Sequence, residues 1–148
     1  MLDATELARR VADLMYEEDN ASRELGFIID DVGPGYAKLS MTVRPDMVNG
    51  HKLCHGGIIF TLADSAFAFS CNSYNLRTVA ASAEISFLKS GLEGERLEAV
   101  AEERWREGRN GIYDVRVTNQ DGVTIAEFRG KSRTIKGTIL EDEEGSRQ

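Results

Sequence analysis

Apolar residues first recur three and four apart, at Leu7, Val11 and Leu14, and later every second residue, at Ala37, Leu39, Met41 and Val43. The first spacing lines one face of a helix and the second one face of a half-buried strand. Asp3, with Glu6 three residues on, supplies a side-chain cap for the start of that helix. A further helical turn over Ala21 to Leu25 stops at Gly26, where the period changes. Phe27 to Val32, the turn Gly33-Pro34-Gly35, and Tyr36 to Val43 then read as a hairpin.

After the Arg44-Pro45 loop the alternation stops. Ile58 to Phe69 is apolar nearly all round, and its length and alanine content favour a helix starting at Gly56 or Gly57 over a buried strand. Beyond Ser73-Tyr74-Asn75 four strands follow: Val79 to Leu88, Arg96 to Arg106, Ile112 to Asn119 and Val123 to Ile135. The breaks at Ser90-Gly91, Gly108-Arg109-Asn110-Gly111 and Gln120-Asp121-Gly122 predict antiparallel hairpin connections throughout. One apolar helix among six strands predicts an α+β architecture, a curved antiparallel sheet wrapped around one long helix, which is the hotdog arrangement. Residues 1–148 then form a single domain, with 1–26 a helical lead and 137–148 an acidic tail expected to be disordered.

Composition narrows the function classes. A net charge of -7 argues against a nucleic-acid or anionic-membrane binder, which needs a cationic surface. Two cysteines and two histidines are too few for a disulfide framework or a zinc or di-iron site, so neither metal nor cofactor is expected. The longest uncharged piece is too short to span a bilayer and the N-terminus lacks an export signal, which predicts a cytoplasmic protein.

Between Cys54 and Leu76 the only formal charge is Asp64. A lone carboxylate on so apolar a segment loses hydration, so its pKa should be perturbed. Such groups concentrate at catalytic sites, although a structural carboxylate bonded to neighbouring chain is the alternative. Gly56 and Gly57 at the helix entry would expose backbone donors to a substrate, as an oxyanion hole does, or simply let the loop turn. Asn49 is a turn former in Asn49-Gly50, and His55 a residue capping a helix entry; both are also site candidates. Asp64 lies seven or eight residues beyond the glycines, roughly 10 to 12 Å along a helix axis. One carbonyl cannot touch both, so a two-fold dimer with antiparallel helices is expected to share the site.

The run Asn49-Gly50-His51-Lys52-Leu53-Cys54-His55-Gly56-Gly57, with Leu62-Ala63-Asp64-Ser65-Ala66-Phe67-Ala68 and Cys71-Asn72-Ser73, resembles the PaaI family of hotdog acyl-CoA thioesterases of phenylacetate degradation. Phe87-Leu88, Gly111-Ile112-Tyr113-Asp114 and Phe128-Arg129-Gly130-Lys131-Ser132 extend the resemblance. It implies a homotetramer of hotdog dimers that cleaves coenzyme A thioesters, with phenylacetyl-CoA or a hydroxyphenylacetyl-CoA as substrate. It makes Asp64 nucleophile or general base, Gly56 the oxyanion donor, and Asn49 the residue orienting water or carboxylate, while His55 bonds near the carbonyl. Lys89, Arg109 with its neighbour Asn110, and Lys131 are candidate coenzyme A contacts that read equally as solvated side chains. Phe60, Phe67 or Phe69 would line the acyl pocket or belong to the core. The alternatives are a non-catalytic acyl-CoA-binding module, which would not need Asp64, and a hotdog hydratase, which would need a histidine on the helix.

Overall fold

The computed structural model describes residues 1–141. Helix α1 (Ala4–Glu18) starts where Asp3 accepts the Glu6 N–H at 2.8 Å, and a short α2 (Asn20–Glu24) follows it directly. Strands β1 (Ile28–Gly33) and β2 (Tyr36–Thr42) make the first hairpin, and α3 (Gly56–Cys71) is the long apolar helix. The remaining strands are β3 (Thr78–Phe87), β4 (Arg96–Glu107), β5 (Asn110–Thr118) and β6 (Thr124–Thr134). All pair antiparallel in one sheet of order β1-β2-β4-β5-β6-β3.

That order corrects one expectation. Gly108 and Gly122, both at positive φ, lie in true hairpins, but Ser90-Gly91 does not join neighbouring strands. Strand β3 pairs with β6 at the sheet edge, and the chain then crosses back to insert β4 between β2 and β5. On the way Gly91 C=O accepts the Cys54 N–H at 2.7 Å, and Leu53 bridges Leu92, so this connection straps the loop that leads into α3. A turn signal reports a bend and carries no information about which strand the chain joins next.

The inner face of the sheet buries Leu39, Met41, Leu97, Ala99, Ala101, Tyr113, Val115, Val117 and Phe128. Against it α3 turns Ile59, Leu62, Ala63, Ala66, Phe67 and Phe69, and the alanines on both sides let helix and sheet approach closely. The outer face is a ladder of cross-strand charges. Asp114 accepts from Arg129 (2.7 Å) and Arg104 (3.1 Å), with the Arg129 bond the main cause holding its carboxyl below the usual range. Two surfaces stay uncovered: the α3 stripe through Gly57, Phe60, Thr61, Asp64 and Ala68, and most of edge strand β3, where Phe87 is 53% exposed.

The first residues of the expected disordered tail are held by the fold. Asn75, at φ 62, accepts the N–H groups of Ile139 and Leu140, and Arg77 N–H donates to Gly137 C=O, so residues 137–140 are fastened to the end of β3. Residues 142–148, with most of the acidic run, lie outside the described residues. No helix among the described residues is long and apolar enough to cross a membrane.

Phe67, a candidate acyl-pocket residue, is core. It is 1% exposed, its ring lies 5.7 Å from that of Tyr113 and 5.8 Å from that of Phe128, and β6 passes directly over it at Gly130. A Cβ on Gly130 would sit 2.7 Å from the Phe67 ring. Gly130→Ala should therefore lower stability by about 1–3 kcal/mol through overpacking, read as an earlier urea midpoint, with Phe67→Leu in the same chain restoring part of the loss.

Candidate active site

The loop before α3 is built from its own polar groups. Asn49 Oδ1 accepts the N–H groups of His51 (2.9 Å) and Leu53 (3.2 Å), while Asn49 N–H donates to Leu53 C=O. This Asx-type turn commits the carbonyl end of the side chain to the loop. The Nδ2 end of exposed Asn49 has no partner among the described residues, so Asn49 can act on a ligand only as a donor.

His55 divides the work of the two glycines. It is the N-cap of α3, and its Nδ1 accepts the Gly57 N–H at 3.1 Å. An accepting Nδ1 fixes the neutral tautomer protonated at Nε2, with the ring exposed. Gly57 is therefore not an available oxyanion donor, contrary to the expectation of a paired hole. The Gly56 N–H has no partner among the described residues and sits at the positive end of a 16-residue helix.

Gly56 is also closely approached from β3, so a larger residue there would need the Phe87 ring to give by a few tenths of an ångström. A Cβ there would lie 3.1 Å from the Phe87 ring, which reaches over from β3. Phe87 is the apolar wall beside the donor. The sequence directed attention to the helix phenylalanines instead, and of these Phe69 is buried like Phe67, while Phe60 is half-buried edge-on to Phe128 at 5.3 Å.

Asp64 stands on the uncovered stripe of α3, half-buried, with no hydrogen bond or ion pair among the described residues. Burial pushes its carboxyl above the ordinary 3.8, and the nearby charge of Asp19 adds to the rise. Asp19 has no sequence signal beyond its suitability as a helix cap. The buried thiols of Cys54 and Cys71 are pushed up to about 11 and about 12 by desolvation and are not nucleophiles here.

Gly56 and Asp64 lie on one unbroken helix, which at roughly 1.5 Å per residue sets them about 12 Å apart along its axis. The remaining candidates do not converge within this one chain. Lys89 follows β3 at the Gly56 end of the sheet, whereas Arg109 and Asn110 form the β4–β5 turn at the opposite end, roughly 30 Å away at strand rise. Lys131 is exposed on β6, opposite Ile112 and Ser82.

A helix held in one curved antiparallel sheet, with a carboxylate and a free helix N-terminus on its uncovered stripe, defines a hotdog-fold protein. Residues 51–126 match the family described as Thioesterase superfamily. The chain is 46% identical to the acyl-coenzyme A thioesterase PaaI of Escherichia coli, over 86% of this chain and 91% of that one. The structure of the E. coli PaaI protein from the phenylacetic acid degradation operon superposes with a TM-score of 0.91 at 43% identity, covering 92% of this chain and 99% of that chain. The smu.793 protein of Streptococcus mutans, solved bound to acetyl CoA, gives 0.73 at 26% identity over 76% of this chain and 90% of its own. The chain belongs to the thioesterase superfamily.

The raised pKa of Asp64 has a stability consequence of fixed sign. Below its unfolded value of 3.8 the group is protonated in both states and costs nothing; above its folded value the buried charge destabilises the fold. Asp64→Asn should therefore unfold at higher urea than wild type at pH 7, and the gap should close as the pH falls below about 4. A gap that stayed constant or widened on acidification would contradict the assignment.

Proposed function

We propose that the chain hydrolyses acyl-CoA thioesters to the free acid and coenzyme A, at sites that two copies share. The observation that carries this reading is the unpartnered Gly56 N–H on the same open stripe as the half-buried, unbonded Asp64. A thioester carbonyl accepts the Gly56 N–H, and the developing oxyanion gains from the helix N-terminus. Asp64 of the other copy attacks the carbonyl carbon, giving a mixed anhydride that water opens, or takes a proton from the attacking water. By either route one water is consumed, the C–S bond breaks and the coenzyme A thiolate leaves. His55 keeps the Gly57 N–H occupied so that the loop and Gly56 stay in place, and Asn49 Nδ2 holds the water or the carboxylate.

Sharing follows from distance. About 12 Å along α3 is too far for one carbonyl to meet both groups, whereas antiparallel α3 helices about a two-fold axis set Asp64 of one copy opposite Gly56 of the other. The unpaired edge of β3 and the exposed Val79 and Phe87 suit that axis. Pairing β3 with itself antiparallel also brings the Arg109–Asn110 end of one copy beside the Lys89 end of the other, so the two groups of candidate coenzyme A contacts meet only in the dimer. Dimers pair again into a homotetramer. Phe87 beside the donor suits an aromatic acyl group, and the operon of the E. coli relative concerns phenylacetic acid, so phenylacetyl-CoA or hydroxyphenylacetyl-CoA is the proposed substrate.

Asp64→Asn, nearly isosteric, should fold, assemble and lose on the order of 100-fold to 10,000-fold in turnover, followed as thiol release from phenylacetyl-CoA. Mixed dimers of Asp64→Asn and Gly56→Val should regain activity that neither has alone, because one of the two sites then holds both intact groups. Inactive heterodimers that still bind substrate would exclude the shared site. A good thiolate leaving group needs no Lewis acid here, so turnover should survive exhaustive chelation; loss restored by a divalent ion would refute the metal-free mechanism.

A further inference from the structure

Ser65, the residue after Asp64, is exceptional among the hydroxyls of α3. Thr61 Oγ1 donates back to Gly57 C=O and Ser70 Oγ to Phe67 C=O, the ordinary helical behaviour of such side chains. Ser65 Oγ instead leaves the helix and meets Ser22 Oγ of α2 at 2.9 Å, across 43 residues of chain. Ser22 is fully buried, and its hydroxyl donates to Asp19 Oδ2 at 2.6 Å while its N–H donates to Asp19 Oδ1 at 2.9 Å. An ionised Asp19 only accepts, so the chain has one direction: Ser65 O–H to Ser22, Ser22 O–H to Asp19.

We propose that Asp19 is a positioning residue for Asp64, a fixed negative charge that the buried Ser22–Ser65 hydroxyl pair locks against the catalytic helix. The proposal rests on the role given to Asp64 above and adds what tunes it. Two small apolar residues would fill the Ser22–Ser65 contact equally well; a satisfied hydroxyl pair fixes the orientation of α2 on α3, and hence where the Asp19 charge sits. The other elements around α3 offer Asp64 no comparable partner. Strands β2, β5 and β6 turn Lys38, Arg116 and Arg129 to the outer face, where they pair with Glu98, Glu127 and Asp114, and Glu84 of β3 lies opposite Arg129. Glu103 and Tyr113 of β4 and β5 bond one another near Cys71, further along α3, and Tyr16 of α1 donates to Phe27 C=O. Burial and the Asp19 charge both disfavour ionised Asp64, and only the second can be removed without altering the site.

The test is Asp19→Asn, which keeps a good helix cap and a polar partner for Ser22 but removes the charge. Asp64 is titrated directly by carbon NMR on protein labelled at the aspartate carboxyl carbon, and the acid limb of kcat/KM is recorded in parallel. Asp19→Asn should move both midpoints to lower pH, Ser22→Ala should move them the same way by less because Ser22 N–H still holds Asp19, and Asp46→Asn, at the exposed Arg44 pair, should move neither. Unchanged Asp64 titration in a folded Asp19→Asn protein would overturn the proposal. The titration reads Asp64 whether or not it is the reacting group. A shifted titration with full turnover in Asp64→Asn would therefore sink the hydrolytic role and leave this coupling standing.

Discussion

The structure depends on one packing relation: a helix that is apolar on almost every side, laid in a sheet that can cover only part of it. The sheet buries Ile59, Leu62, Ala63, Ala66, Phe67 and Phe69 and leaves the stripe through Gly57, Thr61, Asp64 and Ala68 open. A half-buried carboxylate on that stripe is poorly hydrated and unpaired, a combination that is costly to stability and useful to chemistry. Without the covering sheet Asp64 would be an ordinary solvated acid, and with full covering it could not meet a substrate.

The same helix supplies the second chemical element at its start. Its first N–H groups lack intrahelical partners, and the loop decides which of them remain free. His55 takes the Gly57 N–H, Asn49 knots the loop through His51 and Leu53, and the strap after β3 ties Cys54 through Gly91. What is left is a single donor at Gly56 under the Phe87 ring. Separating that donor from Asp64 by two turns of helix makes the reaction, in our reading, an affair of two copies, and the bare β3 edge is where they would meet.

Much of this was legible from periodicity. The heptad-like spacing of Leu7, Val11 and Leu14, the alternation through β2 and the turn glycines at 108 and 122 are local properties, and the elements they predict are present within a residue or two. Asp64 was conspicuous for the same reason: a charge with no neighbour in sequence to pair with. The place of β3 was not legible, because pairing Ile85 with Phe128 is decided by which edge closes best over the helix, and turns do not encode that. Nor was the docking of residues 137–140 on Asn75, which satisfies backbone groups far apart in the chain.

The sequence by itself determined the secondary structure, the apolar helix with its odd carboxylate, and a glycine pair at that helix's entry, since each follows from spacing within a few residues. The tertiary structure added that the His55 cap, local to the helix entry, falls on the Gly57 N–H while Gly56 keeps its own. It alone placed Phe87 against Gly56, withdrew Phe67 into the core beneath Gly130, and brought Asp19 through Ser22 and Ser65 to the side of Asp64. Apart from the local His55 cap, these are contacts of angle and distance between segments remote in the chain, set by how the core closes, and no local pattern carries them.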